Sequence, residues 1–205
     1  MPKHAFKFPV EVVKAIKKHV QSAIDSIAPE RYNQEPNYTA ALLGRLDGTA
    51  YEGEHGKVVF TATVFDDRGP NSAEKKYGAD HAITATISDG RTTITKAILV
   101  QAKLGKIDDL APKDRRFLKE QIGKMKKVLS SPKVMEIPTI DGRRYPAVIS
   151  GNRILEDGEY RPIPLPEYFV ARITTTLDGC TNPEVIAAVK DSSLSKLNVH
   201  AKIRP

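Results

Sequence analysis

Two alternating runs, 80–88 and 91–103, meet at Asp89-Gly90 near the middle of the chain. Val, Ile and Thr recur in both, and Asp-Gly suits a two-residue turn because both positions tolerate positive φ. The pattern predicts a β-hairpin, and a hairpin dictates which side chains meet. With Ser88 facing Arg91, Asp80 falls opposite Leu99. Paired residues point to the same side, so Ile83 and Ile87 join Ile94, Ile98 and Val100 on one apolar face. The other face carries Asp80, Leu99, Gln101 and Lys103, with Asp80 diagonal to Gln101 and Lys103 one step further. An acid, an amide and a lysine thus converge at the open end of two central strands. Burying such groups without partners costs about 2 kcal/mol or more each. A salt bridge between Asp80 and Lys103 is the plain structural account of them, and a reaction centre is the functional one.

The flanks supply helices. From 10 to 27, Val13, Ile16, Val20, Ile24 and Ile27 form an apolar stripe, the three-and-four spacing of an amphipathic helix. Lys14, Lys17, Lys18 and His19 fall mostly off it, a solvated face or a phosphate-contacting one. A second helix starts at Glu35-Pro36, since proline suits a first turn, and runs through Tyr38, Ala41, Leu42 and Leu46. Residues 57–65 read as a strand and 66–77 as a long polar loop. A helix over 112–129 has Phe117, Leu118, Ile122, Met125 and Leu129 as its stripe. Shorter strands are expected at 145–150 and 168–175, and a last helix at 182–190 with Thr181 as cap. This mixed order around an antiparallel hairpin predicts an α/β fold with a mixed β-sheet flanked by helices. The chain reads as one domain over 1–205, with a core at about 35–150, an N-terminal helix and a C-terminal extension over 151–205.

Composition narrows the class. The chain has 205 residues, 40% apolar and 28% charged, which excludes disorder and collagen-like repeats. A single cysteine, Cys180, cannot form an internal disulfide. No run reaches the length of a membrane span, and Met1-Pro2-Lys3-His4 opens no signal-peptide core. A cytoplasmic protein without membrane contact is the expectation. The net charge of +7 permits a polyanionic partner without requiring one.

Gly78-Ala79-Asp80, followed by a hairpin into an apolar strand ending Gln101-Ala102-Lys103, resembles the PD-(D/E)XK nuclease superfamily. The likeness is to its restriction-endonuclease-like branch, similar to Mrr proteins, in which Gln replaces the second acid. That superfamily's core runs helix, three strands, helix, strand, and 35–150 follows the same order. The resemblance implies that Asp80 ligates Mg²⁺, with Mn²⁺ as a substitute, and that Gln101 takes the second ligand position beside the Ala102 carbonyl. It implies that Lys103 orients or activates the attacking water, and that Glu35 holds metal-bound water or a second ion. A neutral amide at 101 binds Mg²⁺ more weakly than a carboxylate would. Along the next helix, Gln121, Lys124 and Lys127, with Lys106 just after the strand, are expected to contact nucleic acid; a solvated helix face is their plainer account.

Other motifs carry less. Gly53-Glu54-His55-Gly56-Lys57 fails as a phosphate loop because Tyr51 and Val58 stand where glycine and Ser/Thr are needed. The histidines show no helical pair spacing, and His81 points away from the Asp80 face. Asp66-Asp67 and Asp108-Asp109 read as solvated turns, Cys180 has no neighbouring His, and Arg143-Arg144-Tyr145 reads as a turn or a backbone contact.

The function expected on these grounds is a metal-dependent endonuclease hydrolysing DNA phosphodiesters. The resemblance implies a role in restriction or antiviral defence, under control of a regulatory partner or ligand. Cutting both strands needs two sites, which is compatible with a homodimer. The rival readings are a non-catalytic nucleic-acid-binding or assembly module on the same fold, and a basic-surfaced domain that binds another protein.

Overall fold

The computed structural model describes residues 6–65, 72–139, 145–175 and 177–204. An eight-stranded mixed sheet runs through the chain, flanked by helices on both faces. Helix α1 (Val10–Asp25) and helix α2 (Glu35–Leu46) come first. A hairpin of β1 (Gly48–Gly53) and β2 (Gly56–Thr63) follows. A short helix α3 (Ala73–Tyr77), capped by the Ser72 hydroxyl, leads into β3 (His81–Ser88) and β4 (Thr93–Leu104). Next are α4 (Pro112–Val128), β5 (Lys133–Ile137) and β6 (Ala147–Ser150). The chain then forms α5 (Gly151–Leu155), β7 (Ile163–Pro164), and α6 (Leu165–Tyr168), which continues as a π-helical turn over Phe169–Ile173. It closes with α7 (Pro183–Asp191) and β8 (Ser195–Ile203).

The sheet order is β1-β2-β8-β3-β4-β5-β6-β7. Neighbours are antiparallel except β3 with β8 and β4 with β5. One face packs Ile83, Ile98, Val100 and Phe60 against α1, α2 and α6. The other packs Ala97, Leu99 and Val134 against Leu118, Ile122 and Met125 of α4 and Val189 of α7.

The hairpin register differs from the expected one. Ser88 pairs with Thr93, so the connection is Asp89-Gly90-Arg91-Thr92. Asp89 stabilises this longer loop by accepting from the Arg91 and Thr92 N–H groups. The slip amounts to two residues along β4, and because side chains alternate with period two it leaves every face unchanged. Its effect is to set Asp80 directly against Gln101, with the Asp80 N–H on the Val100 carbonyl.

Four other expectations are corrected. The 151–205 region is no peripheral extension, because β8 lies inside the sheet between β2 and β3. Residues 168–173 are helical where a strand was expected, since winding puts Leu165, Tyr168, Phe169 and Ile173 into the core. Val12 rather than Val13 is buried on α1, and Phe117 of α4 is exposed, because the docking angle sets the phase of each stripe. The cap of α7 is Asn182, whose side chain accepts from the Glu184 and Val185 N–H groups. Strands β1, β5, β7 and β8 and helices α3 and α5 add to the expected elements.

Candidate active site

Asp80 is delivered by a tight turn. Gly78 ends α3 with φ +73°, and a Cβ there would come 2.2 Å from the Gln121 carbonyl oxygen of α4. Only glycine meets both conditions. Ala79 then buries fully, and the next residue, Asp80, arrives at the entry to the central strand β3, beside the C-terminal residues of β4.

There the Asp80 Oδ2 accepts two hydrogen bonds of 2.6 Å, from the Gln101 Nε2 and from the Ala102 N–H. Gln101 is fully buried, and its Nε2 also donates to the Ala102 carbonyl at 3.2 Å. Its Oε1 is buried with no hydrogen-bond partner among the described residues. Burial above all raises the Asp80 carboxyl, with the Ala102 N–H and Lys103 opposing and Glu74 and Glu35 adding to the rise, to about 7 in all. Asp80 remains partly open to solvent through a cleft of about 400 Å³, which Glu74, Asn37, Phe65 and Ser193 also line.

Lys103 does not pair with Asp80. Its ammonium donates to Glu35 Oε2 at 2.8 Å, while Glu35 Oε1 accepts from the Leu104 N–H at 3.2 Å. Glu35 opens α2, whose free N-terminal amides favour an acid there. The pair is largely shielded from solvent, so each charge depends on the other.

The structure therefore brings Asp80, Gln101, Ala102, Lys103 and Glu35 together from α2, β4 and the entry to β3. Of the residues expected on the nucleic-acid side, Gln121 is buried and the three lysines lie at the surface. The Gln121 backbone carbonyl lies against Gly78, and its Oε1 too has no partner among the described residues. Lys124 donates to the Lys75 carbonyl of α3 at 3.1 Å, while Lys106 and Lys127 are exposed. Glu74 was missed. It lies in a polar stretch with no periodic signal, and only the folding of α3 turns its charge toward Asp80.

Among the minor candidates, Gly53 to Lys57 forms the β1–β2 turn. His81 is buried, and burial lowers its pKa to about 4. Asp108 accepts from the Tyr160 hydroxyl, and Cys180 exchanges backbone hydrogen bonds with Ala97. Asp66-Asp67 and Arg143-Arg144 lie outside the described residues.

The groups near Asp80 that could ligate a cation, its carboxylate, the Gln101 Oε1 and the Ala102 carbonyl, all offer oxygen, as a hard divalent cation prefers. Among the described residues no three His, Cys, Asp or Glu side chains gather as a metal-binding group. A cation here would use one carboxylate with amide and carbonyl oxygens, and the unpartnered Gln101 Oε1 fits that role. Among the described residues no helix is long and apolar enough to cross a membrane. In comparisons with known proteins, the chain matches no family model, no curated protein and no solved structure at a significant level.

Proposed function

We propose that this chain is a Mg²⁺-dependent endonuclease that hydrolyses DNA phosphodiester bonds, with Asp80, Gln101, Lys103 and Glu35 as its working residues. The observation that carries the reading is the buried Gln101 Oε1, an oxygen without a hydrogen-bond partner among the described residues, beside a carboxylate and a lysine–glutamate pair. Leaving such an atom unsatisfied costs about 1–3 kcal/mol, a cost that a bound cation removes. The order α2, β1, β2, α3, β3, β4, α4, β5 contains the helix, three strands, helix, strand run of the PD-(D/E)XK likeness once β1 and α3 are set aside, and in the sheet β8 comes between β2 and β3.

Asp80, Gln101 and the Ala102 carbonyl would hold the ion, with Glu35 contributing through water. When bound, Mg²⁺ supplies a Lewis acid for the scissile phosphate and lowers the pKa of water. Lys103 keeps a positive charge where negative charge develops on the phosphate, and orients the attacking water. Glu35 holds the Lys103 ammonium in place until a phosphate competes for it. Defence against foreign DNA, a regulatory partner and a dimeric assembly belong to the same proposal as its biological setting.

The test is incubation with supercoiled plasmid and Mg²⁺ or Mn²⁺, with and without chelator. Nicked or linear products that vanish with chelator support the reading. The second reading, a non-catalytic module, draws on the Lys103–Glu35 ion pair, which as a structural tie accounts for both residues. Intact plasmid with retained DNA binding would favour it.

A further inference from the structure

A second cavity, of about 310 Å³, lies where β5 begins and β6 ends. Among the described residues it shares no lining residue with the Asp80 cleft. Lys133, Arg153, Arg161 and Arg172 line it, together with Asp178 and Tyr168. Lys133 is buried and already paired, donating to Asp178 Oδ1 at 2.9 Å and to the Ser131 hydroxyl at 3.0 Å. That pair is neutral and, among the described residues of the wall, leaves three arginines against one further acid, Glu159. Arg153 also lies 3.7 Å from Glu156 outside the cavity. Behind the wall, the buried Lys96 ammonium donates to the Arg172 and Thr175 carbonyls, adding positive charge where water is excluded.

Tyr168 supplies an independent sign of a ligand. It is 1% exposed, it lines the cavity, and its hydroxyl has no hydrogen-bond partner among the described residues. Burial raises its pKa first, and the Asp178 carboxylate, close enough to attract the hydroxyl hydrogen though outside full hydrogen-bond geometry, raises it further, while Arg172 opposes. A buried O–H in a cavity wall that also carries arginines is placed to donate to an anion bound there. Guanidinium groups match phosphate oxygens in two-point contacts, and a volume near 300 Å³ suits a small molecule.

We propose that this cavity binds a small phosphorylated compound of mononucleotide size, with Arg161 and Arg172 on its phosphates and the Tyr168 hydroxyl as a further donor. The assignment is independent of the reaction at Asp80. Calorimetric titration of the full chain in EDTA tests it, with pyrophosphate and ADP as probes and a 5′-phosphorylated oligodeoxynucleotide as the comparison. Saturable binding of ADP or pyrophosphate is expected, weakened tenfold or more by Arg172→Gln or Arg161→Gln and severalfold by Tyr168→Phe. Asp80→Asn leaves it unchanged. Arg161 is exposed, so Arg161→Gln keeps the fold whatever Arg172→Gln does. No saturable binding by the parent overturns the proposal, as does parent-like affinity in folded Arg161→Gln and Arg172→Gln proteins. Binding of the oligonucleotide alone would overturn the assignment to a small ligand.

Discussion

Gln101 donates its amide nitrogen to Asp80 at 2.6 Å while its amide oxygen, equally buried, has no hydrogen-bond partner among the described residues. The hydrogen bond fixes which way the amide faces. Turning it over would set oxygen against carboxylate, so the amide oxygen is left as a buried acceptor without a partner among the described residues.

Metal binding follows from this arrangement. With a single carboxylate in the inner set, Mg²⁺ is expected to bind the free protein weakly and more tightly when a substrate phosphate adds negative charge. Gln101→Glu should tighten binding in the free protein, and Asp80→Asn should abolish both binding and cleavage. Calorimetry on the three proteins decides it, and an Asp80→Asn protein that binds and cuts like the parent sinks the site.

Lys103→Ala should lower cleavage by about 100-fold or more, because it removes the charge next to the reacting phosphate. DNA retention should stay near that of the parent. Glu35 is then left partly buried without its partner, so a stability loss of about 1–2 kcal/mol should accompany the change. Plasmid cleavage and urea denaturation, run side by side, separate the two effects.

Gly78→Ala places a methyl group 2.2 Å from the Gln121 carbonyl at a positive φ. Strain and overlap together predict a loss of about 2–4 kcal/mol. Gly90, also at positive φ but in open space, is the control, and Gly90→Ala should cost about 1 kcal/mol. Equal denaturation midpoints for the two variants would contradict the close approach of α4 to this turn.

If Lys106, Lys124 and Lys127 neutralise phosphates, replacing all three should weaken binding to every DNA sequence alike. The salt slope should become shallower by about 0.9 for each phosphate left without its lysine. A triple variant with the parent's slope places the nucleic-acid surface elsewhere, for which the lysines of α1 are the next candidates.

Burial depresses the Lys96 pKa to about 8, with Lys133 lowering it further and Asp178 opposing. Between pH 8 and the ordinary value of 10.5 the unfolded chain binds the extra proton, so stability should rise with pH across that window. Below pH 8 both states are protonated and the full penalty stands. Lys96→Met lacks the titrating group, and its melting temperature should not share the parent's rise between pH 8 and 10. Parallel curves would show that Lys96 carries no penalty in the folded state.

The local periodicities were readable. Alternation marks β3 and β4, proline marks the first turns of α2 and α4, and the convergence of Asp80, Gln101 and Lys103 on one face survives a two-residue error in register. Strand β8 was equally readable, since Leu197, Val199, Ala201 and Ile203 alternate with polar residues. Its place between β2 and β3 was not, because strand order is set by long-range pairing that leaves no mark on local pattern. The same holds for Lys103, which chose Glu35 over Asp80, and for Glu74, turned toward Asp80 by a five-residue helix. Side-chain type and spacing determined which groups share a face. Which of them touch depended on how α2, α3 and α4 dock at the strand ends, a matter of packing between segments far apart in the chain.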